Sequence, residues 1–321
     1  MLVTVLLFVL GLVLLIKGGD WFVDGATGIA HKFHVPELII GATIVSIGTT
    51  LPEVMVSATS AISGHGEIAY GNAIGSIICN TSLIAALTIA IRPSTVNKET
   101  LKTPVIFFFI SAAFYSICAY AFGFFSRWMG IVLLCIFAMY IYITIKNGLH
   151  SDISQSDESS DHTDSNTLKD VILLIVGAAL IAIGADLLVD NGTLIAQYLG
   201  VPESVIALTF VALGTSLPEL VTAITSLIKG HSSLSLGNII GANIFNLVLV
   251  SGISTVLAPF EVPSSKLLMG YNASLVLDIP LMLLVMGLLT LPALKSGKLK
   301  RITGIVLLCI YASYISFQFF G

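Results

Sequence analysis

Two stretches of this chain repeat one another. Gly41–Leu83 reads GATIVSIGTTLPEVMVSATSAISGHGEIAYGNAIGSIICNTSL, and Ala207–Leu249 reads ALTFVALGTSLPELVTAITSLIKGHSSLSLGNIIGANIFNLVL. Each carries G-T-[TS]-L-P-E followed by G-N-x-I-G. The offset that takes Glu53 to Glu219 also takes Gly11 to Gly177, Pro36 to Pro202, Asn80 to Asn246 and Pro93 to Pro259 without a gap. A duplicated unit constrains the fold more than any local pattern, because whatever one copy builds the other must build again.

The copies are apolar almost throughout. Of the 321 residues, 56% are hydrophobic and only 10% charged, where soluble domains hold about a quarter charged. A membrane span needs about 20 apolar residues. That criterion predicts about ten spans, near 2–17, 36–62, 68–91, 102–123, 128–146, 168–189, 202–228, 234–257, 268–293 and 300–320. Gly, Ser and Thr crowd the second, third, seventh and eighth, as close helix packing requires. The fourth, fifth, ninth and tenth are greasier and suit the periphery. The four cysteines (Cys79, Cys118, Cys135, Cys309) lie in apolar runs without metal or disulfide spacing and read as small core residues.

The expected fold is an all-α membrane protein of about ten transmembrane helices in two inverted five-helix repeats. Residues 1–146 form the first repeat, with its motif at 41–84, and residues 168–321 the second, with its motif at 207–250. Residues 147–167 form an acidic, Ser- and Asp-rich linker that reads as solvated chain. Five spans per copy is an odd number, so the second copy enters the membrane in the opposite sense, the plan of secondary transporters with a site at the midplane. Twelve of the fourteen Lys and Arg, Lys17 and Lys32 among them, fall on the side opposite the N-terminus, leaving only Arg127 and Lys266 on the other. The positive-inside rule then places both termini outside and the linker in the cytoplasm of an inner or plasma membrane protein.

Glu53 and Glu219 stand mid-span, each directly after a proline. Proline lacks an N–H and frees a carbonyl one turn earlier. In hydrocarbon such a carbonyl persists only where protein, water or an ion satisfies it. A charged group at that depth costs about 2.5–3.5 kcal/mol. Two carboxylates together also repel, so cations or protons must neutralise them. With the hydroxyls of Thr49, Thr50, Thr215 and Ser216 they make a hard oxygen set suited to Ca²⁺ or Na⁺. Asn80 and Asn246 lie deeper than Asn72 and Asn238 and are the preferred amide ligands, the latter pair being divided between ligation and packing. Ser76 has only Ala242 as its mate.

These paired motifs resemble the two alpha repeats of the sodium/calcium exchanger family, across nearly the whole chain. The resemblance implies that Glu53 and Glu219 are central Ca²⁺ and Na⁺ ligands. It also implies that Thr49, Thr50, Thr215 and Ser216, with Ser46 and its mate Ala212 one turn earlier, surround them. The family often has Asp where this chain has Asn246, so a third negative charge is missing. That departure implies weakened coupling to three Na⁺, with H⁺ as an alternative counter-ion.

Other polar residues have ordinary expectations. Asp20, Asp24, Asp186 and Asp190 read as helix-end charges, Glu37 and Glu203 as first-turn caps, and His65 and His231 as solvated loop residues. Asp278, inside span nine, is a functional candidate with no partner visible in sequence. The reading is a Na⁺/Ca²⁺ antiporter that extrudes Ca²⁺, with spans one and six sliding to expose the site alternately. The rivals are an H⁺/Ca²⁺ or K⁺-dependent exchanger on the same scaffold, and a cation channel. No enzyme motif is present, no cofactor or nucleic acid is expected, and one chain suffices for the site.

Overall fold

The computed structural model describes residues 1–149, 167–200, 214–264, 267–268 and 270–320. Ten helices carry them: α1 (Leu2–Lys32), α2 (Glu37–Ile62), α3 (Gly66–Ile91), α4 (Lys98–Phe122), α5 (Arg127–Leu149), α6 (Thr167–Tyr198), α7 (Leu217–Ile228), α8 (Ser232–Leu257), α9 (Ser274–Ser296) and α10 (Arg301–Phe320). Among the described residues nine of these are long and apolar enough to cross a membrane, and α7 is a shorter apolar helix. The chain is an all-α membrane protein.

The largest departure from the sequence expectation is the length of α1 and α6. The hydropathy dip at Gly18-Gly19-Asp20 marks an end near residue 17, yet α1 runs on to Lys32 and α6 to Tyr198. At about 1.5 Å per residue α1 is about 46 Å long, well beyond the ~30 Å of a hydrocarbon core. Lys17, expected in a loop, therefore lies within α1, on its exposed side. The glycines that break the hydropathy are contacts between helices. A Cβ on Gly11 would stand 2.9 Å from the carbonyl oxygen of Gly184, and one on Gly18 2.9 Å from that of Gly177. Under the repeat offset Gly11 becomes Gly177 and Gly18 becomes Gly184, so the two contacts exchange when the copies are swapped. An antiparallel pair packed backbone to backbone results, as small-residue seams in membranes allow.

This pair has its own apolar cluster, including Leu15, Phe22, Val23, Ile181 and Ala185, which also reaches Ile40 and Val45 of α2. A larger cluster joins α2, α3 and α8 to the outer helices α4, α5, α9 and α10. Within it α8 is buried along almost its whole length. The greasy outer helices pack as expected: α5 lies on α8 where Gly130 meets Gly252, and α10 on α3 where Gly304 meets Ala86 and Ala90.

Short antiparallel pairings tie the loops at both ends. Ser94–Thr95 pairs with Lys298–Leu299, joining the α3–α4 and α9–α10 connections on the lysine-rich face, called the basic face below. Phe124–Phe125 pairs with Phe260–Glu261 on the opposite face. At the basic face Lys229 bonds Asp24 at 2.7 Å and lies 3.6 Å from Asp20. These aspartates are thus held from within α1 by a lysine at the end of α7, rather than standing as free helix-end charges. Asp186 and Asp190 are exposed.

Candidate functional site

Pro52 sits inside α2 and Pro218 at the start of α7. Neither can donate a backbone N–H, so each motif leaves acceptor capacity at the depth of the glutamate that follows. The two backbones differ. Helix α2 continues through Thr49 and Thr50, whereas Thr215 and Ser216 form a turn and α7 begins at Leu217. The first-turn position of Glu219 gives it the positive end of α7.

Glu53 and Glu219 are both fully buried and close enough for their charges to act on one another. None of their four carboxylate oxygens has a hydrogen-bond partner among the described residues. Thr49 and Thr50 stand near Glu219, and neither closes a hydrogen bond to it. Thr50 Oγ1, Ser216 Oγ and both side-chain polar atoms of Asn80 and of Asn246 are likewise buried and unpartnered. An unsatisfied buried polar group costs about 1–3 kcal/mol, more when charged, and native interiors hold few of them. Such a set, nearly all acceptors or groups able to accept, matches the donor set of a hard cation. Among the described residues no three His, Cys, Asp or Glu side chains gather as a resident metal centre would need. The set is two carboxylates completed by neutral oxygens.

Local backbone geometry delivers the amides. Asn80 opens a π-helical turn, Asn80–Ala85, inside α3, and Asn246 opens the equivalent turn, Asn246–Val250, inside α8. A further π turn, Gly41–Val45, lies in α2 ahead of the motif. Such turns leave backbone carbonyls without their usual partners and recur at functional sites. Sequence periodicity carries no sign of them.

The hydroxyls divide into two groups. Thr49 donates to Asn238 Oδ1 at 3.1 Å and Thr215 to Asn72 Oδ1 at 3.3 Å, the same contact made once in each direction between the copies. Asn72 and Asn238 thus join the repeats. Ser46 donates to the Asn238 carbonyl at 2.9 Å and to that of Gly41 at 2.8 Å. Asn72 Nδ2 donates to Ser57 Oγ at 2.8 Å and to the Glu53 carbonyl at 3.3 Å, while Asn238 Nδ2, whose mate for Ser57 is Ala223, has no partner among the described residues. Ser76 is buried in α3 one turn before Asn80. Ala212 lies outside the described residues, as does Glu203.

Several residues were missed or misjudged from sequence. Cys79 is more than core filling: its thiol lies beside Ser216 and within range of both glutamates, and Tyr311 donates to it at 3.8 Å. Asn243 donates to Thr81 Oγ1 at 2.8 Å, clasping α8 to the π turn of α3. The available signal was an amide inside a wholly apolar run. His231 is not a solvated loop residue, since its Nδ1 stands 2.7 Å from Glu37 Oε1. That hydrogen bond, with the charges of Glu37 and Asp24, outweighs partial burial and Lys229 and raises the imidazole above its ordinary value. His65 is exposed. Asp278 has a partner after all, because Tyr314 donates to its Oδ1 at 3.3 Å beside an outer cleft of about 330 Å³.

Known proteins match along nearly the whole chain. The family model for sodium/calcium exchanger proteins covers residues 3–146 and 169–320. A sodium/calcium exchanger of Methanosarcina acetivorans is 32% identical over 99% of this chain and 99% of its own length. A putative antiporter of Alkalimonas amylolytica is 33% identical over 99% of this chain and 98% of its own. The solved structure of the sodium-calcium exchanger NCX_Mj, soaked with Na⁺ and Sr²⁺, superposes with a TM-score of 0.83 at 33% identity, covering 98% of each chain. The chain belongs to the sodium/calcium exchanger family.

Proposed function

We propose that this protein is a secondary antiporter that moves Ca²⁺ out of the cell in exchange for Na⁺, with Glu53 and Glu219 holding the cation at the membrane midplane. The observation that carries the reading is the pair of buried, unpartnered carboxylates, one from each repeat, surrounded by unpartnered amides and hydroxyls. Two negative charges are balanced by one Ca²⁺ or by two monovalent ions, never by both together. That exclusion couples the fluxes: the site is neutral when loaded either way and doubly negative when empty. Moving an unneutralised charge through the bilayer is costly, so an empty carrier crosses slowly and leaks little.

Thr50, Ser216, Asn80 and Asn246 complete the shell, while Thr49, Thr215 and Ser46 hold the repeats in register through Asn238 and Asn72. Packing supports alternating access by this pair: α1 and α6 meet backbone to backbone along their glycine seam, as a unit that moves across α2, α7 and α8 would. With the basic face in the cytoplasm, as the distribution of Lys and Arg requires, the linker between α5 and α6 lies inside the cell.

Neutral Asn246 favours a second counter-ion, H⁺, because two carboxylates accept two protons as readily as two Na⁺. Uptake of ⁴⁵Ca²⁺ into proteoliposomes, with Na⁺, K⁺ and pH gradients imposed in turn, decides between them. Uptake driven by the Na⁺ gradient supports the first reading. Uptake driven by pH alone replaces it with H⁺/Ca²⁺ exchange, and uptake without any counter-gradient would mean a channel.

A further inference from the structure

The buried polar atoms without partners do not end at the carboxylate pair. Along α7, Thr222 and Ser226 follow Glu219 at three- and four-residue spacing and therefore share its face. Both hydroxyls are fully buried and neither has a partner among the described residues. A neighbouring face of α7, about 100° round the helix, meets α1: a Cβ on Gly19 would stand 2.7 Å from Val221 and 2.9 Å from Thr225. The hydroxyl face is turned from that contact, on a helix that also packs on α8. On α8 Ser235, 2% exposed, contributes a third unpartnered hydroxyl. It lines a narrow recess at the basic face with Thr88, Arg92, Leu227 and Ser232. There Arg92 donates to the Leu227 carbonyl at 3.3 Å.

A serine or threonine inside a helix ordinarily satisfies its hydroxyl on the carbonyl one turn back, as Ser82, Ser111 and Ser254 do here. Three hydroxyls that do not, placed between a carboxylate and one face of the membrane, need another partner at some stage of the cycle. The mirror positions in the first repeat are Val56, Ser60 and Ala69, and the mirror of Arg92 is Ala258. Val56 is 38% exposed where Thr222 is fully buried. The two halves of the protein thus differ both in chemistry and in how tightly they are packed.

We infer that Thr222, Ser226 and Ser235 line the cation's route between Glu219 and the basic face, giving oxygen contacts to the ion or its waters when the α1–α6 pair moves past α7. This conformation holds the route shut, with the Arg92 guanidinium across its mouth as a positive charge that must swing aside. The opposite half, lacking two of the three hydroxyls, handles the ion differently, so the exchanger is chemically lopsided. The inference rests on the proposed cation transport.

The test is half-saturating Ca²⁺ measured from each face in proteoliposomes whose orientation is set by cleavage at a site in the linker. Thr222→Val and Ser226→Ala each raise the value at the basic face by about fivefold, the scale of one lost neutral contact, with less than a twofold change at the opposite face. The converse variant, Val56→Thr, lowers it at the opposite face alone. An equal shift at both faces would mean a common effect on the site, and opposite shifts a bias between conformations; either result, or no shift at all, overturns the inference. Should Thr222→Val not fold, Ser226→Ala and Val56→Thr decide the matter alone. Wild-type protein that carries no Ca²⁺ defeats the parent reading instead, which separates the two failures.

Discussion

The two copies of the glutamate motif share a sequence and differ in structure. In the first copy the helix runs unbroken through Thr49, Thr50 and Pro52, Ser46 bridges to the second copy, and Asn72 is satisfied by Ser57. In the second, a turn at Thr215–Ser216 precedes α7, and among the described residues Asn238 Nδ2, Ser216, Thr222 and Ser226 all lack partners. Each copy gives one threonine to the contact between repeats and, among the described residues, leaves an amide (Asn80 or Asn246) and a hydroxyl (Thr50 or Ser216) without a partner; the second leaves further hydroxyls so towards the basic loops. Duplication supplies a matched pair of carboxylates, and divergence around them gives each face its own character.

The largest expected effect probes what the copies have in common. Glu53→Gln and Glu219→Gln each reduce Na⁺-driven ⁴⁵Ca²⁺ uptake by at least about 100-fold, or roughly 2.7 kcal/mol. Both variants keep their fold and gain thermal stability, since a buried charge is removed. If one copy tolerates the change, the glutamates are not equivalent and the comparison breaks there. Next comes the sliding seam. Gly18→Val and Gly177→Val drive side chains into backbone at 2.8–2.9 Å, or closer for Gly177, and cost about 1–3 kcal/mol of packing. Transport falls about tenfold or more in either variant and the melting temperature falls with it, whereas the glutamate variants do not lower it.

A gain of function sharpens the difference at Asn246. Asn246→Asp adds a third carboxylate, so the dependence of uptake on Na⁺ becomes steeper and more positive charge moves per Ca²⁺. Patch-clamp or solid-supported membrane currents read this directly, and an unchanged Na⁺ dependence refutes the role assigned to Asn246. A smaller effect belongs to the cross-repeat contacts. Thr49→Val and Thr215→Val each lose one hydrogen bond, about 1 kcal/mol in thermal or denaturant stability. The loss is greater for Thr49, whose contact is shorter and fully buried.

The smallest effect is pH-dependent. Because Glu37 raises the His231 imidazole, the ion pair stabilises the protein fully below the ordinary histidine value near 6.5 and is lost as pH climbs through the raised one. Partial exposure of both groups limits the gain to under about 1 kcal/mol. Melting temperature therefore falls slightly on passing from acid to alkaline pH, and His231→Gln flattens that slope.

Much of the frame was legible in the residues. The repeat fixes which residues correspond, the apolar runs mark the spans, and the mid-span carboxylates after prolines are the two that the structure buries without partners among the described residues. What was illegible has physical reasons. Helix α1 runs past Gly18 because the hydropathy dip reports close packing on α6, which a linear scan reads as a loop. The π turns at Asn80 and Asn246 are shifts in hydrogen-bond register set by packing, with no periodic signature. Cys79 joins the site only through its neighbours on α7 and α10, and His231 finds Glu37 across 194 residues of sequence. Local pattern cannot report contacts made at such separations.

Calorimetric titration of the purified protein with Ca²⁺ over a series of Na⁺ concentrations tests the shared site most directly. One Ca²⁺ per chain, displaced competitively by Na⁺ and lost equally in Glu53→Gln and Glu219→Gln, is the predicted result. Binding that survives in either variant, or that Na⁺ leaves untouched, would contradict a single cation held jointly by the two repeats.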